Sequence, residues 1–399
     1  MEATDKPAGR ILFCATVARH LERFHQPVMR WFKSKGWEVH AAASADLELP
    51  WVDRQFDVPF SRSPLRLSNI AAYRQLKRII GEGDYQLIHC HTPTAGVLTR
   101  LAARGARSSG ARVLYTAHGF HFQAGGPKLN WALFYPLERL LARLTDCLIT
   151  INEEDFRLAA DRRFPAARIV RVHGVGVDLE RFRPADAETR RGMRRRLGYG
   201  MEEQLLFYAA EFNRNKNQRM LIEALALLKD EFPRAKLLLA GDGPLRPACE
   251  ELAARLGVRD RVDFLGYRPD IADWLPSLDI AVASSFREGL PVNVLEAMAC
   301  GLPVVATSNR GHRELVRPGR SGWLVPPGDA RQMAGRIREL LTNPRERAAF
   351  GAAARAIASS TYGLDTVMAE LRAVYASILG EMEIGKWERQ FGYSTPSST

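Results

Sequence analysis

Short apolar runs alternate with longer helical patterns along most of this 399-residue chain, and this alternation restricts the possible folds more than any single motif. Strand–helix repeats of this kind build parallel β-sheets that are covered by helices. The alternation breaks once, between Asp178 and Gly200, where Pro184, many arginines and two glycines near the end intervene. It then restarts. The sequence therefore predicts α/β architecture with two Rossmann-like, doubly wound domains in tandem, joined by a linker that leads into a new helix.

The apolar runs predict six strands in each half of the chain. They are residues 11–17, 38–42, 87–91, 113–117, 147–151 and 169–172, then 205–209, 236–240, 262–265, 280–283, 303–307 and 322–325. The predicted helices are 26–35, 70–81, 129–144, 218–230, 245–256, 292–300, 331–342, 345–359 and 364–379. Because ligands of such sheets bind beyond the carboxyl ends of the strands, we expect the site in a cleft between two facing sheets.

The predicted domain boundaries follow from the break in the pattern. We expect an N-terminal domain over residues 1–183 and a C-terminal domain over 184–362. Helices over 363–392 are expected to return to the first domain. Residues 393–399 consist mostly of Ser, Thr and Pro, a composition typical of a disordered tail.

Composition excludes several classes of protein. The net charge of +12 is spread along the chain without a basic stripe interleaved with aromatics, so no nucleic acid is expected as a partner. Anionic phosphates of a small ligand and an anionic membrane surface remain as partners for this charge. The polar N-terminus, without an apolar signal core, predicts a cytoplasmic protein. The five cysteines lack CxxC spacing, which favours buried small hydrophobes over disulfides or zinc ligands.

The most informative motif runs from Ser285 to Gly301 and carries two glutamates. Glu288 lies in a Gly/Pro turn after an apolar strand, and Glu296 lies in the helix that follows. The free N–H groups at the helix start favour an anion. Glu296 can accept hydrogen bonds from vicinal ribose hydroxyls, while Glu288 would face a sugar. The alternative interpretation is a pair of acids that the helix dipole merely favours.

A cationic loop follows the first strand of the second half. Arg214 and Lys216 lie there, where they could neutralise a diphosphate as it departs. A solvated charged turn is the alternative. The turn Gly241-Asp242-Gly243 ends the next strand, but it lacks the third glycine of a dinucleotide-binding fingerprint.

Histidines mark the strand ends of the first half. His118, beside a glycine at the end of an apolar strand, is placed to contact a ligand, or else is a satisfied buried histidine. His89 and His91 share one face of another strand, but a metal site needs further ligands, so none is expected. The chain also has no Asp-x-Asp, which removes the usual carboxylate pair for Mg²⁺.

Taken together, these segments resemble family 4 glycosyltransferases, which have the GT-B fold and are retaining, nucleotide-sugar dependent and metal independent. The resemblance covers nearly the whole chain. It rests on the lysine loop 211–217, the turn 241–245, the two-glutamate motif and the strand 321–325. In the first half, Phe24-His25-x-Pro27 and the segments 115–122 and 148–155 resemble the bacterial exopolysaccharide and capsule branch of the family.

The resemblance implies roles for individual residues. Lys216 matches a phosphate-binding lysine, Glu296 the acid that holds the ribose, and Glu288 and His118 the residues near the donor sugar. The implied catalytic set is His118, Glu288 and Lys216. The implied donor-binding set is Arg214, Lys216, Gly289, Leu290, Val292, Asn293, Val294, Glu296, Tyr267 and Arg268. The implied acceptor-side set is Thr16, His20, His25 and Asn152.

Two departures from the family pattern affect this assignment. Ala210-Glu211 stands where the family often has Gly-Arg, and Arg214 is the expected substitute for the missing cation. Residues 16–20 replace the family's Gly-Gly loop after the first strand, which leaves the phosphate contacts of the first domain unassigned.

The expected function is a metal-independent retaining transfer, without a cofactor, from a nucleoside-diphosphate sugar such as a UDP-sugar to a hydroxyl. The expected acceptor is a polyprenyl-diphosphate-linked saccharide in exopolysaccharide or capsule synthesis, reached from the inner face of the membrane. Membrane contact would use the basic, aromatic segment Phe120–Arg143, unless its aromatic residues form a core helix face. A nucleotide-sugar epimerase of GT-B fold and a catalytically degenerate nucleotide-sugar-binding protein remain as alternatives.

Overall fold

The computed structural model describes residues 7–45, 47–63, 66–123 and 125–380. The chain divides into two compact units. The first unit comprises the residues up to Val175 and those from Val367 on, and the second unit is Gly176–Thr366. The division at Val175 precedes the predicted boundary at residue 183. The predicted tail over 393–399 lies outside the described residues.

A seven-stranded parallel sheet forms the centre of the first unit, in the order β3-β2-β1-β4-β5-β6-β7. Its strands are β1 Arg10–Val17, β2 Glu38–Ser44, β3 Arg54–Asp57, β4 Leu87–His91, β5 Arg112–Ala117, β6 Cys147–Thr150 and β7 Arg168–Arg171. Its helices are α1 Ala18–Ser34, α2 Ser68–Glu82, α3 Pro93–Ala102, α4 Arg104–Ser108, α5 Lys128–Ala142 and α6 Glu153–Asp161. Every residue of β4 is buried, as expected for a strand that is covered on both faces.

The start of α1 differs from the sequence prediction. The pattern predicts a helix from residue 26, and residues 16–20 stand where the family has a Gly-Gly loop. In the structure β1 ends at Val17 and α1 begins at once at Ala18. Without glycines to form a phosphate loop, the chain turns directly into a helix, and Pro27 is accommodated inside it. This earlier start places His20 and His25 on the same helix.

A six-stranded parallel sheet forms the second unit, in the order β10-β9-β8-β11-β12-β13. Its strands are β8 Gln204–Ala209, β9 Ala235–Ala240, β10 Val262–Gly266, β11 Ile280–Ala283, β12 Val304–Thr307 and β13 Gly322–Val325. Its helices are α7 Ala187–Leu197, α8 Gln218–Leu228, α9 Arg246–Arg255, α10 Ile271–Trp274, α11 Val292–Ala299, α12 Arg310–Leu315, α13 Ala330–Thr342 and α14 Pro344–Thr361, with 3₁₀ turns at Arg259–Arg261 and Leu275–Ser277. The arginine-rich part of the predicted linker is α7.

The last described helix, α15 (Leu364–Leu379), joins the first unit from residue 367 on. Its Tyr375 hydroxyl lies 2.7 Å from His89 Nδ1, and its Glu370 carboxylate lies 2.6 Å from His173 Nδ1. No helix within the described ranges is long and apolar enough to cross a membrane. All five cysteines are buried and unpaired, which confirms their interpretation as small core residues.

Each sheet has one point at which the strand order reverses: between β1 and β4 in the first unit, and between β8 and β11 in the second. The loops that leave the strands on either side of such a point separate and form a crevice, where ligands of open α/β sheets bind.

Candidate functional site

The loops that follow β8 and β11 bring Lys216 and Glu288 together. Lys216 Nζ lies 2.6 Å from Glu288 Oε1, and the two side chains are 23% and 13% exposed. These residues are 72 positions apart and were predicted to serve different parts of one ligand, the phosphate and the sugar. The structure joins them in one partly buried ion pair at the strand-order reversal of the second sheet.

Asn215 holds the two loops together. It accepts a hydrogen bond from Phe286 N at its carbonyl oxygen (2.8 Å) and from Arg287 N at Oδ1 (3.1 Å). Its Nδ2 donates to the carbonyl oxygen of Arg287 at 2.9 Å, and Ser284 Oγ donates to the carbonyl oxygen of Lys216 at 2.7 Å. The position of Lys216 relative to Glu288 is therefore fixed by the backbone as well as by the ion pair.

The start of α12 supports the turn that carries Glu288. Arg310 Nε donates to the carbonyl oxygen of Glu288 at 3.1 Å. A Cβ added at Gly311 would lie 2.7 Å from Glu288 Cβ and 2.9 Å from Pro291 Cδ, so a side chain has no room there. Glycine at 311 thus permits the close approach that sets the turn.

Helix α11 directs its N-terminus toward this turn. The first N–H groups of any α-helix have no acceptor within the helix. In α11, which follows Pro291, no side chain caps them either. Asn293 is tied to β8, since its Nδ2 donates to the carbonyl oxygen of Ala209 at 2.9 Å. Leu290, Val294 and Glu296 are buried. Gly289 and Val292 are half-buried beside them.

The remaining predicted donor residues differ in how they are engaged. Arg214 is exposed and has no ion pair within the described residues, so its guanidinium is available to an anion. Arg268 is paired with Asp270 at 2.5 Å and stacks on Trp274 at 4.9 Å. Tyr267 is exposed. The structure therefore leaves Arg214 as a free cation on the Lys216 loop and uses Arg268 within the fold.

His312 is a buried polar residue near this site that the sequence analysis did not name. Its Nδ1 lies 2.7 Å from the carbonyl oxygen of Thr307, and its Nε2 has no partner in the described chain. Burial lowers the pKa of His312 to about 4, although the nearby Glu288 charge opposes the shift. The signal that could have identified it is its position three residues after Asn309, which caps α12 by accepting from His312 N.

In the first unit, two of the predicted acceptor-side residues are engaged in the fold. Thr16 Oγ1 lies 2.7 Å from Thr92 Oγ1, which joins the ends of β1 and β4. Asn152 is fully buried and caps α6, with Oδ1 accepting from Asp155 N at 2.8 Å and Nδ2 donating to Asp155 Oδ2 at 2.9 Å. Both side chains thus stabilise the carboxyl-terminal edge of the sheet.

The other first-unit residues form a cluster of four imidazoles. His20 Nε2 lies 3.3 Å from His118 Nε2 and 3.4 Å from His25 Nε2, and His118 Nε2 lies 3.3 Å from His91 Nδ1. Burial lowers the pKa of His20 to about 4, and burial together with the neighbouring imidazoles holds the pKa values of the other three well below the usual range. All four rings are therefore neutral near pH 7. We call this group the histidine cluster.

Two parallel-sheet α/β units are the architecture of GT-B glycosyltransferases, and comparison with known proteins supports this class. Residues 15–181 match the family described as Glycosyltransferase Family 4, and residues 190–357 match Glycosyl transferases group 1. The crystal structure of Anabaena HepE in complex with UDP and glucose covers 92% of this chain and 100% of its own, with a TM-score of 0.76. At 21% identity, that likeness establishes the fold.

Two relatives show to which family the chain belongs. EpsD of Bacillus subtilis (strain 168), named as a glycosyltransferase, is 49% identical over 84% of this chain and 88% of its own. The D-inositol 3-phosphate glycosyltransferase of Thermobispora bispora is 31% identical over 74% of this chain and 72% of its own. The chain belongs to glycosyltransferase family 4, as its motifs predicted.

Proposed function

We propose that this protein transfers a sugar, with retention of configuration, from a nucleoside-diphosphate sugar to a hydroxyl acceptor. The observation that carries the proposal is the Lys216–Glu288 pair beside the uncapped start of α11. A cation, a row of free N–H groups and two carboxylates at one strand-order reversal suit a ligand with a diphosphate between two hydroxyl-rich sugars. HepE, of the same fold, was solved with UDP and glucose.

Each donor residue has one role in this proposal. The N–H groups of Val292, Asn293 and Val294 hold the diphosphate, and Lys216 neutralises the charge that develops as it leaves. Arg214 supplies the second cation, in place of the one absent at Glu211. Glu296 accepts hydrogen bonds from the ribose.

The sugar side of the donor is held by Glu288, and the family resemblance implies a contact of the donor sugar with His118. Glu288 must exchange its contact with Lys216 for contacts with the ligand. In a retaining transfer the departing diphosphate itself can take the proton from the attacking hydroxyl on the same face of the sugar. The protein then needs to position the donor and stabilise charge, and the proposal requires no protein base.

The proposed acceptor is a polyprenyl-diphosphate-linked saccharide used in exopolysaccharide or capsule synthesis. The first-half motifs resemble that branch of the family.

The test of this function is a transfer assay with UDP-, GDP- and ADP-sugars and a synthetic polyprenyl-diphosphate saccharide. We expect one donor to be consumed only when the acceptor is present, with an α-linked product from an α-linked donor. If an epimer formed from the donor alone, the protein would be a nucleotide-sugar epimerase and the proposed transfer function would be wrong. Binding without turnover of any donor would indicate a degenerate binding protein.

A membrane-contact surface is proposed on α5. Its leucine stripe, Leu129, Leu133, Leu137 and Leu140, is exposed at a helical spacing. The alternative, a core helix face, holds for the other side of the helix, where Trp131, Phe134 and Tyr135 pack against the core of the first unit. Lys128, Arg139 and Arg143 are exposed around the stripe and suit anionic lipid.

Substitution L133E is expected to lower binding to anionic vesicles about tenfold, since burying a leucine contributes about 1.5–3 kcal/mol. Co-sedimentation with phosphatidylglycerol vesicles at low salt measures the effect. L227E is the matched control, because Leu227 is 51% exposed on the second unit and Leu133 is 57% exposed. Equal loss in both variants, or no binding by the unsubstituted protein, would remove the stripe as the contact.

A further inference from the structure

We infer that the histidine cluster is a binding site for one divalent transition-metal ion, with His20, His25, His91 and His118 as its ligands. The four ligand nitrogens all lie within 4.8 Å of one another. They come from three separate parts of the first unit: α1 supplies two, β4 one, and the end of β5 the fourth. In the sequence, only His89 and His91 share a recognisable face, which predicts no metal site.

Three of the six spacings among the four nitrogens agree with tetrahedral coordination, and all six are within 4.8 Å. With Zn–N bonds of about 2.0–2.1 Å, adjacent ligand nitrogens of a tetrahedral site lie about 3.3–3.4 Å apart. The three contacts within the cluster are 3.3, 3.4 and 3.3 Å. The ligand atoms are Nε2 of His20, His25 and His118, and Nδ1 of His91. Binding would require the His25 and His91 rings, which are stacked with their centroids 3.7 Å apart, to turn toward the ion.

Hydrogen bonding alone explains this arrangement poorly. A neutral imidazole nitrogen has either one N–H or one lone pair, directed in the plane of the ring, so it serves one good partner. Nε2 of His20 nevertheless contacts two other nitrogens, and so does Nε2 of His118. An ion at the centre would satisfy all four lone pairs at once.

Hydrogen-bond partners distinguish the four proposed ligands from the neighbouring His89. His89 lies next to the cluster, but its two ring nitrogens are engaged by Tyr375 and Thr116 at 2.7 and 2.8 Å. A cavity of about 20 Å³ beside His25, His91 and His118 has room for one water-sized sphere.

The ligand set also indicates the kind of ion. Imidazoles suit Zn²⁺, Cu²⁺, Ni²⁺ and Fe²⁺, whereas Mg²⁺ and Ca²⁺ require oxygen ligands. Four protein ligands close the coordination sphere, which is typical of a structural site. Such an ion would join α1 to the ends of β4 and β5. Binding through Nε2 would also fix the proton of His118 on Nδ1. The use of that proton toward a sugar rests on the proposed function, but the metal site itself does not.

The experiment is metal binding by tag-free, chelator-treated protein, with Zn²⁺ and Co²⁺ as probes. After dialysis, we expect elemental mass spectrometry to find one Zn²⁺ per chain. The Co²⁺-loaded protein should show the visible absorption spectrum of tetrahedral Co²⁺. His20→Asn and His91→Asn should each weaken Zn²⁺ binding by at least about tenfold, because even the loss of an outer-shell partner can cost that much. His121→Asn is the matched control, since His121 is exposed and lies three residues after His118.

Circular dichroism establishes that each variant is folded. If a variant fails to fold, the Co²⁺ spectrum of the unsubstituted protein still decides. An octahedral Co²⁺ spectrum, the absence of stoichiometric Zn²⁺, or equal Zn²⁺ binding in the cluster variants and His121→Asn would each overturn the site. None of these measurements depends on transfer activity, so the site and the proposed function can fail separately.

Discussion

Replacing Lys216 by alanine is expected to lower kcat/KM for sugar transfer by about 10²–10³-fold, because the loss of one preorganised charge-stabilising group typically costs that much. Lys216 is the partly buried cation of the candidate site, and its position is fixed by Asn215 and by the pair with Glu288. The loss should fall mainly on kcat, since the charge of the leaving diphosphate develops in the transition state.

The control for this variant is Lys236→Ala. Lys236 lies in the same unit and pairs with Glu203 at 2.9 Å. The Lys236 side chain is 29% exposed and the Glu203 side chain is 18% exposed. Both substitutions leave a carboxylate without its cation, so their effects on unfolding should be similar. Only Lys216→Ala should reduce transfer. Measurement of steady-state kinetics and thermal unfolding on both variants separates the two effects.

A double substitution distinguishes catalysis from a purely structural ion pair. If the pair served only to hold the two loops, Lys216→Met combined with Glu288→Gln would restore much of the activity that either change removes. We expect the transfer activity of the double variant to be no higher than that of the less active single variant, because both groups contact the donor. Recovery to within a few-fold of the unsubstituted enzyme would contradict the proposed roles.

The parts of the site that could be predicted from the sequence are those that the sheet topology determines. Buried parallel strands are read as continuous apolar runs, and β4, β11 and β13 have the predicted bounds. Because the loops after parallel strands lie at one edge of a sheet, both Lys216 and Glu288 could be expected there, and the family resemblance implied that they bind one donor. The direct ion pair between them could not, because it depends on side-chain directions set by Asn215 and Gly311.

Other features escaped prediction for identifiable physical reasons. Strand β3 has four residues, two of them charged, and lies at the sheet edge, so it has no apolar pattern. The histidine cluster requires that α1 begin at Ala18, before the residue that the pattern favoured. The sequence of α7 does not indicate which residues its arginines contact, because the partners of Arg194, Ser277 and Asp279, lie some 80 residues further along the chain.

Asp279→Asn is expected to destabilise the second unit by about 3–5 kcal/mol, because it leaves a buried guanidinium without its counter-charge. Arg194 is 1% exposed, and its nearest carboxylate oxygen is Asp279 Oδ2 at 2.6 Å. The same oxygen accepts from Leu205 N at 2.8 Å, so one carboxylate ties α7 to the start of β8. Asparagine can keep at most part of this hydrogen bonding and none of the charge.

Hydrogen exchange of peptides from β8 and β11, followed by mass spectrometry, measures the second unit by itself. Glu231→Gln is the control, since its pair with Arg338 at 2.7 Å is about half exposed on both sides and should contribute at most about 1 kcal/mol. Arg190 also pairs with Asp279, at 2.7 Å, but it is 31% exposed. Arg190→Ala should therefore cost less than Asp279→Asn. If the order were reversed, or if Asp279→Asn matched Glu231→Gln, the buried Arg194 would not be what makes Asp279 important to this unit.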